Sequence, residues 1–193
     1  MISIIIPYLK SSGAIDLCLE KIKENTKEPY ELILVEDSKD VYGAFNDSAE
    51  KAKGDVLVFL NDDMVVAPGW ETNLVKYCDR KTIVTNYLVE PGVVGVNEKN
   101  IKLDLGTCPT EFNQEEFLAF CDEASKTTPE VLFNAFGWFM PFAVDKRDFI
   151  PYPNREKFPA PNDVKLFGAL SALEYSFVRV NSFTYHFQCL SHR

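Results

Sequence analysis

The sequence predicts an α/β fold in which a mostly parallel central sheet is flanked by helices. Three short apolar runs alternate with two segments of helical periodicity in about the first 60 residues, an order that is typical of a doubly wound sheet. The runs are rich in β-branched residues and far too short to cross a membrane, so we expect buried strands. Right-handed crossovers would bring the three strand ends together at one edge of the sheet.

The first third of the chain supplies these elements in order. Buried strands are predicted at residues 2–6, 32–35 and 56–60. The first intervening helix is expected to begin after Gly13, where apolar residues recur at helical spacing. The second helix is predicted over residues 41–53, because Phe45, Ala49 and Ala52 would share one face.

The remainder of the chain is less regular, and its elements are predicted individually. Helices are expected at residues 70–78, 114–125 and 162–175, and a strand at residues 82–89. Residues 176–187 are predicted as a closing hairpin that turns at Asn181 and Ser182, a smaller β element of the second half. The proline-rich residues 152–161 are expected to form a loop. Because no repeat or linker interrupts the chain, residues 1–193 are expected to form a single domain.

The composition indicates a globular protein and argues against nucleic acid and anionic membranes as partners. Hydrophobic residues make up 46% of the chain, and the net charge is −9 with a pI of about 4.8. Because Lys and Arg form no cluster, we expect no nucleic-acid partner and no electrostatic docking to an anionic membrane. No stretch has the length of a transmembrane helix, and residues 1–7 lack the basic start of a signal peptide, so a cytoplasmic location is expected. The five cysteines form no Cys-x-x-Cys pair, which favours reduced thiols over a zinc site, with a disulfide as the alternative.

Two acidic residues follow the third predicted strand. Asp62 and Asp63 come directly after the apolar run at residues 56–60 and Asn61. Ligands of open α/β sheets bind at the carboxyl ends of the strands, and two adjacent carboxylates there favour a cation shared with an anionic ligand. The alternative is a polar turn that caps the strand, since Asn and Asp are common turn residues.

The other two predicted strands also end in polar residues. The first ends in Pro7 and Tyr8, and the second is followed by Glu36 and Asp37. Because parallel strands joined by right-handed crossovers end on the same side, these residues are expected at the same edge as Asp62. The sequence therefore predicts an acidic ligand-binding edge.

Four segments resemble, in order, motifs of the family 2 nucleotide-sugar glycosyltransferases, which have the GT-A fold. They are residues 3–8 (Ser-Ile-Ile-Ile-Pro-Tyr), residues 34–38 (Leu-Val-Glu-Asp-Ser), the group Asn46, Ala49, Ala52 and Gly54, and residues 59–63 (Phe-Leu-Asn-Asp-Asp). The last segment resembles the Asp-x-Asp motif. The resemblance implies that Pro7 and Tyr8 contact the nucleotide and that residues 1–65 form the nucleotide-binding half of the domain.

Similarity in the second half is weaker and falls where the family has acceptor-side elements. The residues concerned are Gly137, Asn162 and Asp163, and Tyr185, His186 and Phe187. Residues 66–193 would accordingly form the acceptor-side half.

The chain departs from the family pattern at three positions. Asn61 replaces the first acid of the Asp-x-Asp motif, Glu36 stands where the family has Asp, and Phe45 replaces the Arg often found before Asn46. The chain also ends soon after His186, which implies a minimal version of the family.

The resemblance implies roles for the acids at the strand ends. Asp63 would bind Mn²⁺ or Mg²⁺ together with the diphosphate of the donor. Asp62 would contact the ribose or the metal through water. Asp37, with Glu36 beside it, would accept a hydrogen bond from the nucleotide base.

Two residues of the second half are implied in the reaction itself. Asp163 would be the general base that takes the proton of the acceptor hydroxyl, with Asp145 and Asp148 as other candidates. A helix N-cap is the structural alternative for Asp163. His186 would be a further metal ligand, and a core or surface histidine is its alternative.

Together these inferences predict a metal-dependent inverting glycosyltransferase that moves a sugar from a UDP- or GDP-sugar to an acceptor hydroxyl. The acceptor would be a glycan, a protein or a lipid, and the sequence does not select among them. One alternative is a nucleotide-sugar-binding protein with a degenerate site, which Asn61 favours. Another is a sugar-nucleotide pyrophosphorylase, which is disfavoured because residues 8–13 contain only one Gly.

Overall fold

The computed structural model describes residues 1–38, 40–95, 98–136, 140–153 and 162–188, which contain five α-helices and nine strands. The strands are β1 (Ile2–Tyr8), β2 (Tyr30–Glu36), β3 (Val56–Phe59), β4 (Met64–Val66), β5 (Thr82–Glu90), β6 (Ile101–Lys102), β7 (Val131–Phe133), β8 (Phe142–Asp145) and β9 (Ser176–His186). The helices are α1 (Ile15–Asn25), α2 (Val41–Lys51), α3 (Trp70–Tyr77), α4 (Gln114–Thr127) and α5 (Asn162–Ala172). Gly137 and most of the predicted proline-rich loop lie outside the described residues.

One sheet contains all of these strands, in the order β2-β1-β3-β8-β5-β9-β4, with β6 beside β5 and β7 beside β9. Strands β1, β2 and β3 are parallel, as predicted. Strand β8 is antiparallel to both β3 and β5, so β5 points in the same direction as β3. Strand β9 is parallel to β5. The carboxyl ends of β1, β2, β3, β5 and β9 therefore lie on one side of the sheet.

Helices cover both faces of the sheet because the central strands are apolar on both sides. Ile2, Ile4 and Ile6 of β1 pack in a core with α1 and α3, while Ile5 packs with α2 and α5 on the opposite face. A third cluster joins α4 to the strands of the second half, around Tyr185. This layering confirms the predicted α/β class. No helix in the described part of the chain is both long and apolar enough to cross a bilayer.

Strand β2 differs from its prediction as a buried strand. It lies at the edge of the sheet, and Leu32 and Leu34 are 38% and 40% exposed. A run of apolar residues has the same sequence signature in an edge strand and in a central strand, and only the strand order decides between them.

The predicted hairpin at residues 176–187 was wrong, because β9 is one continuous strand. Asn181, which was predicted to form the turn, lies within the strand. Its side-chain amide donates hydrogen bonds to the carbonyl oxygens of Ser125 and Thr128 at 2.8 and 2.9 Å. These bonds fasten the end of α4 to the sheet. The continuous strand carries His186 to the edge where β3 ends, and it pairs there with β4, an element that the sequence did not indicate.

Candidate active site

Asp62 lies at the end of β3 with its carboxylate turned toward the segment that follows β1. Its Oδ2 atom accepts hydrogen bonds from the Ser12 hydroxyl at 2.8 Å and from the Leu9 backbone N–H at 3.2 Å. Burial raises the pKa of Asp62, and the neighbouring charge of Asp63 raises it further. The hydrogen bond from Ser12 lowers the pKa but does not cancel the effect of burial. Asp62 thus fixes the loop between β1 and α1 against the turn that follows β3.

Asp63 is turned the opposite way, toward β9. Its Oδ1 atom lies 3.4 Å from Nε2 of His186, and its backbone carbonyl accepts a hydrogen bond from the N–H of Phe187 at 3.1 Å. Strand β4 begins at the next residue and pairs with β9, with Met64 opposite His186. This short antiparallel pairing brings together two residues that are 123 positions apart in the sequence.

His186 lies between two buried carboxylates. Its Nδ1 atom is 2.8 Å from Oε1 of Glu90, the last residue of β5, while its Nε2 atom faces Asp63. Burial alone would lower the pKa of His186, but the neighbouring carboxylates of Asp63 and Glu90 outweigh burial and raise the pKa to about 9.

The pair formed by Asp63 and His186 fits a divalent metal ion. Adjacent ligands of an octahedral ion with bonds of about 2.1 Å lie about 3.0 Å apart, close to the 3.4 Å between Oδ1 and Nε2. Within the described residues, no group of three His, Cys, Asp or Glu side chains is arranged to hold a metal. An ion here would therefore need further ligands from the substrate or from water.

The ends of β1 and β2 form a separate, more open part of the same edge. The Tyr8 hydroxyl donates to Oε2 of Glu36 at 2.7 Å, and the Lys10 backbone N–H donates to Oδ1 of Asp37 at 3.0 Å. Asp37 has a positive φ of 49°, and its N–H donates to the carbonyl oxygen of Tyr8 at 2.8 Å. Glu36 and Asp37 are exposed and Tyr8 is half-buried, whereas Pro7 is buried at the end of β1. The structure thus brings the predicted nucleotide-binding residues together.

Asp163 lies in the first turn of α5, beside the first turn of α2. Its Oδ2 atom accepts a hydrogen bond from the Tyr42 hydroxyl at 3.2 Å. Burial raises the pKa of Asp163, and the hydrogen bond from Tyr42 only partly opposes this effect. Since α2 begins where β2 ends, Asp163 lies toward the acidic edge, on the α2 side of the sheet.

The two other candidates for the general base lie at the opposite edge. Asp145 is opposite Val56, the first residue of β3, and pairs with Arg147. Asp148 binds the Arg80 guanidinium at 2.7 Å. Because β3 runs from this edge toward Asp63, the length of the strand separates both carboxylates from Asp63 and His186.

Glu90 is the site residue that sequence reasoning missed. The strand was predicted to end at Val89, and Glu90 is the next residue. An acid at the end of a buried strand is the same signal that singled out Asp62, so extending the strand by one residue would have found it. Its contact with His186, however, depends on the pairing of β5 with β9.

The arrangement of helices and strands defines a GT-A type α/β fold. A crystal structure of GalNAc-T7 with UDP, GalNAc and Mn²⁺ is similar to it, with a TM-score of 0.66 over 96% of this chain and 16% sequence identity. This chain spans 43% of the length of that one. No curated protein matches the sequence.

The model of glycosyl transferase family 2 matches residues 39–145, which is more than half of the chain. The chain therefore belongs to glycosyl transferase family 2.

Proposed function

We propose that this protein transfers a sugar from a nucleotide-diphosphate donor to an acceptor hydroxyl, with inversion at the anomeric carbon. The observation that carries the proposal is the pairing of Asp63 with His186 at the carboxyl edge of a GT-A type sheet. A carboxylate and an imidazole buried side by side at this edge form a metal-binding pair where an open α/β sheet binds its ligand.

The proposed metal ligands are Asp63 and His186. Asp62, whose carboxylate faces the loop after β1, is proposed to contact the ribose of the nucleotide instead. A bound divalent cation would neutralise the charge that develops on the diphosphate leaving group. A mixed oxygen and nitrogen donor set favours Mn²⁺ over Mg²⁺, because Mg²⁺ strongly prefers oxygen ligands. The presence of Mn²⁺ and UDP in the similar GalNAc-T7 structure supports this assignment.

The nucleotide is proposed to bind where β1 and β2 end. Asp37 would accept a hydrogen bond from a base N–H, since a carboxylate can only accept. Tyr8 and Glu36 would form the adjoining wall, held to each other by the hydroxyl–carboxylate bond. Pro7 is buried, so its contribution would be to shape the end of β1.

Asp163 is the proposed general base. Its raised pKa brings the carboxylate closer to the pH at which proton transfer is most effective, and the bond from Tyr42 holds it in one orientation. The first turn of α5 fixes the backbone of Asp163 beside α2. The acceptor would approach from the second half of the domain, residues 66–193.

The proposed division at residue 65 separates the nucleotide contacts from the second half, but it does not separate the metal ligands. Residues 1–65 would supply the nucleotide-binding contacts and Asp63. His186 comes from the second half, so both halves would hold the ion. Donor binding would therefore depend on the position of β9, the strand that ends at His186.

Calorimetric titration of UDP and GDP, with and without Mn²⁺, tests the proposal. We expect one nucleotide to bind at least tenfold more tightly with Mn²⁺, and D63A to remove this gain. The matched control is D55A, since Asp55 is an exposed acid at the opposite end of β3. Binding that is indifferent to both Mn²⁺ and D63A would refute the metal site. Tight binding without any donor hydrolysis or transfer would instead indicate a nucleotide-sugar-binding protein.

A further inference from the structure

A chain of hydrogen bonds extends from His186 into the protein, away from Asp63. Nδ1 of His186 lies 2.8 Å from Oε1 of Glu90. The other carboxylate oxygen of Glu90 accepts a bond from the Asn100 side-chain amide at 3.0 Å. The amide oxygen of Asn100 in turn accepts a bond from the Arg179 guanidinium at 3.3 Å.

The far end of this chain is rigidly held. Arg179 is buried in the middle of β9, with its guanidinium 4.1 Å from the centre of the Tyr87 ring. Its Nε atom donates to the backbone carbonyl of Asn86 at 3.1 Å, and Nη1 donates to that of Lys99. These bonds fix the segment that carries Asn100, so Glu90 is held from the side opposite His186.

We propose that Glu90 is a positioning residue that orients His186 for metal binding, and that Asn100 holds Glu90 in place. The inference rests on the proposed function, because it assumes that His186 binds the ion. A carboxylate on Nδ1 keeps a proton on that nitrogen. An ion that displaces the proton of Nε2 then meets a lone pair on the side of His186 that faces Asp63. The same bond fixes the rotation of the ring and makes the imidazole a stronger electron donor.

Glu90 is not placed to bind the same ion as Asp63. The two ring nitrogens of His186 point in diverging directions, with Glu90 on one and Asp63 on the other. One oxygen of Glu90 is bonded to His186 and the other to Asn100. Its carboxylate therefore acts through the histidine.

The test compares Glu90 with a second buried glutamate that has no contact with the site. Glu90 is 5% exposed and Glu71 is 0% exposed. Glu71 accepts hydrogen bonds from the backbone N–H groups of Lys27 and Glu28, at 2.6 and 3.0 Å. The variants E90Q and E71Q make the same chemical change in two buried carboxylates, so E71Q reports the effect of general destabilisation.

The measurement is a Mn²⁺ titration of the full chain with UDP present, followed by electron paramagnetic resonance. In E90Q an amide N–H₂ replaces one carboxylate oxygen, so either His186 or Asn100 loses its acceptor. We expect E90Q to weaken Mn²⁺ binding by about 10- to 100-fold and to diminish the electron spin-echo modulation from the imidazole nitrogen. E71Q should leave both unchanged, and UDP affinity without metal should be unchanged in both variants.

A second variant, N100A, leaves Glu90 in place and removes one of its partners. It should weaken Mn²⁺ binding in the same direction as E90Q, by a smaller factor, and it keeps the test decisive if E90Q does not fold. Mn²⁺ affinity in E90Q or N100A equal to that of E71Q would overturn the role of Glu90 while leaving the proposed function intact. Failure of the unaltered chain to bind Mn²⁺ with UDP would overturn both.

Discussion

Gly54, one of the residues that resemble the family motifs, packs directly against the backbone of β1. Its replacement by alanine gives a quantitative test of this packing. A Cβ atom on Gly54 would lie 2.6 Å from the backbone N of Ser3, 2.7 Å from the carbonyl carbon of Ile2 and 2.7 Å from Oγ of Ser3. Two of these three atoms belong to the backbone of β1, which cannot move without disturbing its pairing with both β2 and β3. The Gly54 N–H also donates to the Ser3 hydroxyl at 2.8 Å, so any displacement would lengthen that bond.

The expected loss of stability follows from two opposing effects. Overpacking in a well-packed region costs about 1–3 kcal/mol, while the smaller conformational freedom of alanine in the unfolded chain returns about 0.4–1 kcal/mol. For this site, where the obstructing atoms are backbone, we expect G54A to lower the free energy of unfolding by about 2 kcal/mol. In a chain of this size that corresponds to a decrease in Tm of about 4–8 °C.

Urea unfolding followed by circular dichroism, together with a thermal melt, measures this change. The matched control is G168A, because a Cβ on Gly168 in α5 would meet no atom within 4 Å. That substitution should raise stability by about 0.5–1 kcal/mol, since alanine is the better helix former. If G54A were as stable as the unaltered chain while G168A behaved as expected, the close approach of Gly54 to β1 would be refuted.

Two further predictions concern acidic residues. D163N keeps a hydrogen-bond acceptor for the Tyr42 hydroxyl but removes the basic carboxylate. We therefore expect kcat for sugar transfer to fall by about 10²–10⁴-fold, with UDP affinity unchanged. A D163N variant with unaltered kcat would exclude Asp163 as the base. Hydrogen bonding with Arg147 lowers the pKa of Asp145 to about 2 in the folded chain. The ionised carboxylate therefore stabilises the fold at pH values above its unfolded pKa of about 3.9, and this stabilisation is lost as the pH falls toward 2. The full linkage value is roughly 2.6 kcal/mol, but Arg147 is 69% exposed, so we expect D145N to cost about 1 kcal/mol at pH 7. Urea unfolding should show this difference shrinking to about half by pH 3, and a difference independent of pH would contradict the ion-pair argument.

Much of the first third of the fold could be predicted because its signals are local. The apolar runs of β1 and β3 and the helical spacing of α2 are set by residues within a few positions of one another, and the structure has these elements close to their predicted bounds. The shared edge followed from the handedness of the crossovers, which needs no knowledge of the second half of the chain.

The second half could not be predicted to the same depth because its strands depend on pairing over long distances. Asn181 and Ser182 have the composition of a turn, yet β9 continues through them with a shift in its pairing register to β5. The Asn181 side chain bonds to the end of α4. The exposed face of β2 is a similar case, since only the strand order leaves Leu32 at the edge.

By itself, the sequence determined that three strands end in polar residues and that Asp62 and Asp63 follow the third of them. The tertiary structure decided what each acid faces: Asp62 is bonded to the loop after β1, and Asp63 lies against His186. It also decided that Glu90 supports the histidine. The physical reason is that alternation and helical spacing are properties of neighbouring residues, whereas a buried carboxylate–histidine–carboxylate array exists only where β4, β5 and β9 meet.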